Sequence, residues 1–211
     1  MTISFHEWVK EPPQLKLKIL CQDPLVMATQ GLGLVSVKLD PEQYLGQGPT
    51  TARVAVVDYN VDLDKIFAPV QVLNNGQGFA TGHVNQANLR KNFQFHQVNV
   101  WAIVNRTIGL LEQPRLLGRP IPWASGLGRL LLLPHAGYGE NAFYDRATGA
   151  IHFLYFEGEE PDQPVFTCLS HDIVTHELGH AVLDGLKPYY NEVSSVETAG
   201  FPESFGDALA L

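Results

Sequence analysis

Cysteine is nearly absent from this 211-residue chain, with Cys21 and Cys168 its only two. Two cysteines build no disulfide framework, and they are either packed thiols or a single bridge. Basic residues are also in short supply. Lys and Arg total 14 against 22 Asp and Glu, a formal net charge of -8. With no basic cluster to offset that balance, a nucleic-acid partner held by counterion release is excluded. Long apolar runs are missing too. "LLLL" at 130–133 is closed by Pro134, far from the roughly 20 residues of a membrane span. The opening "MTISFHEWVKEPPQLKLKIL" lacks the apolar core of a signal peptide. The expected location is the cytoplasm, or outside the cell if a leader has been removed. Charge is sparse at 17%, while hydrophobic residues reach 45%, which is enough apolar material for a core and the wrong balance for disorder.

The chain divides by pattern near position 85. Residues 1–85 begin with a Pro-, Gly- and Gln-rich arm holding one or two strands, including "LKLKIL". "TARVAVVDYNV" (51–61) predicts a buried strand, with "APVQVL" (68–73) as a candidate partner. "NNGQG" (74–78) predicts a turn or loop. "GLGLVSV" (31–37) is no credible phosphate loop, because it opens no helix. Beyond Asn85 the spacing of Val100, Ile103, Val104, Ile108 and Leu111 predicts a helix, which the prolines of "PRLLGRPIPWASG" end. "RLLLLPHAG" predicts a strand. "ENAFYDRATGAIHFLYFEGEE" predicts a hairpin turning at "DRATG", and the acidic "EGEEPD" a solvated loop. "SHDIVTHELGHAVLDGL" predicts a helix that starts near Ser170 or Asp172 and ends near Gly185. "PESFGDALAL" predicts the opening of one more helix.

The chemistry is concentrated in "HELGH". Residues four apart share one face of a helix, so His176 and His180 can aim two imidazoles at one point, as zinc requires. Glu177 lies beside the first histidine, placed to take a proton from a water activated by the metal. With 8 His and 12 Glu in the chain, chance alone gives H-E-x-x-H about 2% of the time. A catalytic zinc needs a third protein ligand, and "FPESFGD" offers one. Glu203 is the candidate ligand. Asp207, one turn later, is the candidate partner for the other nitrogen of a ligating histidine. The remaining histidines, His6, His83, His96, His135, His152 and His171, show no ligand spacing.

H-E-x-x-H followed by E-x-x-x-D resembles the thermolysin-like zinc metallopeptidases, a branch of the glutamate zincins. "GYGENAFYD" (137–145) independently resembles the family's substrate-binding edge strand. The likeness extends over roughly residues 90–211, leaving the first 80 residues unmatched. It implies an α+β fold, with a β-rich N-terminal lobe packed on a central active-site helix of zincin type. Residues 86–211 would form the zinc-bearing lobe and residues 1–85 an arm and β segment of unassigned role. It further implies a zinc-dependent endopeptidase cutting on the amino side of large apolar residues, and calcium as an added structural ion. Asp172 matches a family aspartate near the calcium site. The resemblance gives metal-ligand roles to His176, His180 and Glu203, the general base to Glu177 and an orienting role to Asp207. Asn141 and Ala142 would contact peptide substrate, Ala142 through its main chain. Tyr190 would help bind the developing oxyanion, with Tyr189 as the alternative match.

Three features depart from the family pattern. Pro202 stands where an asparagine is usual, and the interval from His180 to Glu203 is long. The family's helical second lobe, with its transition-state histidine and much of its specificity pocket, would lie after residue 211. The expectation from that ending is a piece of a longer protein, weak or inactive by itself. The competing expectation is a catalytically inactive binding or structural module on the same fold.

Overall fold

The structure is a computed structural model that describes residues 14–31, 33–40, 45–159, 163–191 and 196–211; the side chains of 189, 191 and 196–198 are left out. It has an α+β architecture. Strands β1 (Leu15–Leu20) and β2 (Leu34–Leu39) pair antiparallel. Between them runs helix α1 (Pro24–Gln30). This helix goes beyond the expected arm of strands, although Pro24 in its first turn and Gly31 at its end (φ 66°) are ordinary start and stop signals. The main sheet holds β3 (Val54–Val56), β6 (Leu130–Tyr138), β7 (Ala142–Asp145), β8 (Ala150–Glu157) and β9 (Pro164–Phe166). Its strand order is β3-β6-β8-β7, and β9 pairs with the far part of β8. A two-residue pair, β4 (Tyr59–Asn60) with β5 (Lys65–Ile66), follows β3.

The partner of the 51–61 strand corrects the sequence expectation. Val54–Val56 pairs in parallel with Leu130–Leu132, and 68–73 forms no strand. Instead Val70 N–H donates to the buried Gln97 Oε1 at 2.8 Å, and Val72 makes only an isolated bridge to Phe79. A helix side chain has taken the place of a neighbouring strand.

Helix α2 (Phe93–Leu111) is the central element. Val100, Trp101, Ala102, Ile103 and Val104 are buried in succession, so the middle of the helix is enclosed on all sides. Asn92 caps it by accepting from Phe95 N–H at 2.9 Å. Asn99 ties it to β1 by accepting from Leu20 N–H at 2.9 Å. One hydrophobic core joins Leu15, Val37 and Val54 to Trp101, Leu132 and Leu178, so residues on both sides of position 85 share it. Cys21 and Cys168 are both free thiols.

Helix α3 (His171–Leu186) packs on α2, and helix α4 (Val196–Ala210) packs on α3. Ser170 caps α3 by accepting from Ile173 N–H at 3.3 Å. Helix α4 starts earlier than "PESF" implied and carries Pro202 in its interior, at the loss of one main-chain hydrogen bond. No helix among the described residues is long and apolar enough to cross a membrane.

Candidate metal centre

Helices α3 and α4 meet through glycine. A Cβ on Gly179 would lie 2.8 Å from Gly206 Cα, and a Cβ on Gly206 would lie 2.9 Å from His176 Nδ1. With no side chain on either residue, the helix backbones approach closely at this point. That contact brings the carboxylates of α4 over the histidines of α3.

The Nε2 atoms of His176 and His180 lie 3.2 Å apart. Glu203 Oε2 lies 3.3 Å from His176 Nε2, and Glu203 Oε1 lies 3.6 Å from His180 Nε2. Ligand bonds of about 2.05 Å in tetrahedral directions put the ligand atoms about 3.3 Å apart. The two nitrogens therefore stand at the edge length of a zinc tetrahedron, and Glu203 sets one carboxylate oxygen near that distance from each of them. His176 uses its other nitrogen as a metal-bound imidazole should, with Nδ1 2.9 Å from Asp207 Oδ1. The side chains of Glu203 and Asp207 are 64% and 76% exposed, so the centre opens to solvent on the α4 side. The donor set and spacing fit zinc. Burial lowers the pKa of His180, which keeps its lone pair available.

Glu177 lies beside the donors and is only 8% exposed. Its Oε2 accepts from Tyr144 N–H at 3.1 Å. Burial pushes its carboxyl up to about 7, against the opposing pull of His176. A carboxylate in that range can both take and return a proton near neutral pH.

Strand β7 forms the facing wall. Among the described residues it pairs only with β8 in the sheet order and so presents a free edge. Leu154 N–H donates to Asn141 main-chain O at 3.1 Å, so by antiparallel alternation the main-chain groups of Ala142 and Tyr144 point away from β8. Asn141, Ala142, Phe143 and Tyr144 line a cleft of about 740 Å³ together with His176, Glu177, His180, Pro202 and Glu203. The Asn141 side chain turns back, its Oδ1 accepting from Ala142 N–H at 2.9 Å.

Of the residues singled out from sequence, His176, Glu177, His180, Glu203, Asp207, Asn141 and Ala142 come together here. Tyr190 does not. Its ring packs on Phe201 at 5.3 Å and is absent from the cleft lining, while the Tyr189 side chain lies outside the described residues. Asp172 sits in the first turn of α3, where its charge suits the helix dipole. Among the described residues no metal-ligand cluster includes it.

Sequence reasoning missed the support beneath the cleft. Asp184 is fully buried. It accepts from Tyr144 Oη and from Arg146 Nε, each at 2.9 Å. Arg146 also reaches the main-chain O of Pro188. This locks β7 onto α3. The signal was present, because His176, His180 and Asp184 repeat at four-residue spacing along one helix stripe.

No family model matches this chain, and no curated protein matches it either.

Proposed function

We propose that this chain carries the catalytic zinc centre of a thermolysin-like, zincin-type endopeptidase. The observation that carries the reading is the convergence of His176, His180 and Glu203, the two nitrogens 3.2 Å apart with a Glu203 oxygen near each, and Glu177 beside them with its carboxyl pushed up to about 7 by burial. Zinc held there would polarise a scissile carbonyl and acidify a water. Glu177 would take the proton of that water and pass it to the leaving amine. Asp207 would hold the His176 ring in orientation through Nδ1. The outward main-chain carbonyl of Ala142 would accept from an extended peptide added along the strand edge. Tyr144 N–H, by donating to Glu177, would keep the base aimed into the cleft.

The test uses zinc content together with hydrolysis of a peptide bearing a large apolar residue after the scissile bond. We expect one zinc at this centre, lost in His180→Ala. Glu177→Gln keeps the zinc and abolishes hydrolysis. Hydrolysis that survives Glu177→Gln overturns the mechanism. Absence of any zinc that depends on His180 overturns the centre. One observation favours a second reading, a non-catalytic peptide-binding module: Tyr190, the expected oxyanion partner, is packed on Phe201 outside the cleft. Zinc bound through His180 without hydrolysis would select that reading.

A further inference from the structure

A second cluster of metal-ligating side chains lies in the core, with no residue in common with the first. His96 comes from the start of α2, His135 from β6, and Cys168 from the short 3-10 turn before α3. All three are buried. One nitrogen of each ring and the Cys168 Sγ lie within 4.8 Å of one another. We propose that His96, His135 and Cys168 form a second, structural site for a thiophilic divalent ion of the zinc class.

The hydrogen bonds around the rings fix where the protons are. His96 Nε2 lies 2.8 Å from Leu89 main-chain O. A carbonyl only accepts, so this nitrogen carries the hydrogen and His96 Nδ1 keeps a lone pair. Burial reinforces this by pushing the His96 pKa down to about 3. His96 Nδ1 lies 2.8 Å from His135 Nε2, so the hydrogen between the rings belongs to His135. On its far side, His135 Nδ1 meets Asp58 Oδ1 at 2.8 Å, and Asp58 Oδ2 accepts from Gln97 Nε2 at 2.7 Å. Each ring therefore has its outer nitrogen committed to an oxygen acceptor and its inner nitrogen turned toward the other ring. That is how ligating histidines are held, by a carbonyl in one case and a carboxylate in the other.

An ion between the rings replaces one hydrogen bond. The 2.8 Å gap must open by about half an ångström to suit zinc–nitrogen bonds. Binding M²⁺ expels the His135 Nε2 proton and the Cys168 thiol proton. Two positive charges enter and two leave, so the core gains no net charge and escapes the penalty for burying one. Without the ion, burial holds the Cys168 pKa well above its usual value and the sulfur stays a thiol. Two imidazoles and a thiolate select zinc-like ions over calcium or magnesium. Phe93 stacks on His135 at 4.3 Å, and Phe166 meets both rings edge-on, so the donors sit among apolar walls.

Burial means that the ion enters as the chain folds, so the protein is produced in medium containing cobalt or zinc. The parent for the test is Cys21→Ser, which removes the half-exposed thiol. We expect a thiolate-to-cobalt charge-transfer band in the near ultraviolet and two zinc ions per chain by native mass spectrometry. Adding Cys168→Ser abolishes the band and removes one ion. His96→Gln does the same while keeping the thiol, which covers the case in which the serine variant misfolds. His180→Ala leaves the band intact and removes only the other ion. A parent with no thiolate band, or one whose band survives both Cys168→Ser and His96→Gln, overturns the proposal. A band that persists in a chain lacking His180-dependent zinc supports this site and sinks the reading of the first.

Discussion

Gly206→Ala should weaken zinc binding at the cleft without touching any ligand. The added Cβ would lie 2.9 Å from His176 Nδ1 and 3.0 Å from its Cγ and Cε1. Ordinary contacts need about 3.5 Å or more, so ring and helix must separate by about 0.6 Å. The ring has little freedom to yield, because Nδ1 is held by Asp207 and Nε2 faces Glu203. Helix α4 therefore retreats and takes both carboxylates with it. The bond of 2.9 Å between His176 and Asp207 would stretch to about 3.5 Å, the limit of a useful hydrogen bond. Losing that orienting partner alone weakens metal binding about 10- to 100-fold. Displacement of Glu203 adds to this, so we expect a loss of at least about tenfold, or about 1.4 kcal/mol. The assay is zinc competition against a chromophoric chelator, scored on the uptake that His180→Ala abolishes. The control is Gly200→Ala on the same helix. Nothing lies within 4 Å of its added Cβ, and alanine should stabilise the helix by up to about 1 kcal/mol. Wild-type affinity in Gly206→Ala, or an equal loss in Gly200→Ala, would refute the reasoning.

Three other perturbations test the scaffold. Gly185→Ala should destabilise the fold by about 3 kcal/mol or more, because its Cβ would lie 1.8 Å from Pro122 main-chain O and neither backbone can yield cheaply; a thermal melt within a degree of wild type contradicts this. Arg146→Met strips the buried Asp184 of its cation. The usual 3–5 kcal/mol for breaking a buried pair, discounted because Arg146 is 39% exposed, leaves about 1–3 kcal/mol. Urea midpoints should show that loss, with partial recovery in the Arg146→Met/Asp184→Leu double variant. His152 stacks on Phe143 at 4.7 Å, and burial lowers its pKa. Its unfolded form thus binds the proton more readily, so its contribution is present above about pH 6.5 and fades as pH falls below that value. Amide exchange in the β7–β8 hairpin, corrected for intrinsic rate, should lose protection between pH 7.5 and 5, and His152→Gln should flatten that trend.

What could be read from the sequence was local. The stripe of Val100, Ile103, Val104 and Ile108 gave α2, the Ser170 cap and the i, i+4 histidines gave α3, and "DRATG" gave the hairpin. Each signal lies within a few residues of the element that it specifies. The parallel pairing of Val54 with Leu130 joins residues far apart in sequence and leaves no local periodicity, so the nearer apolar run at 68–73 competes as a partner in the sequence alone. The cluster of His96, His135 and Cys168 was hidden for the same reason, since each ligand lies on a different element and no two of them form a recognisable spacing. Helix α1 was legible from Pro24 and Gly31, but the composition of its surroundings outweighed two short signals. In the cleft, "HELGH" and "ESFGD" sufficed for five residues. Tyr190 was assigned through resemblance alone, and its ring packs elsewhere.

The free edge of β7 also bears on self-association. An exposed edge strand invites a second copy to add itself, and repeated addition is the route to aggregates. Docking of two edges requires each to offer donors as well as acceptors. Here the outward N–H of Ala142 is taken by Asn141 Oδ1, and that of Tyr144 by Glu177 Oε2. What remains outward is carbonyl oxygen. Two such edges face each other as acceptor against acceptor and cannot knit together, whereas a peptide that brings its own N–H groups can still dock.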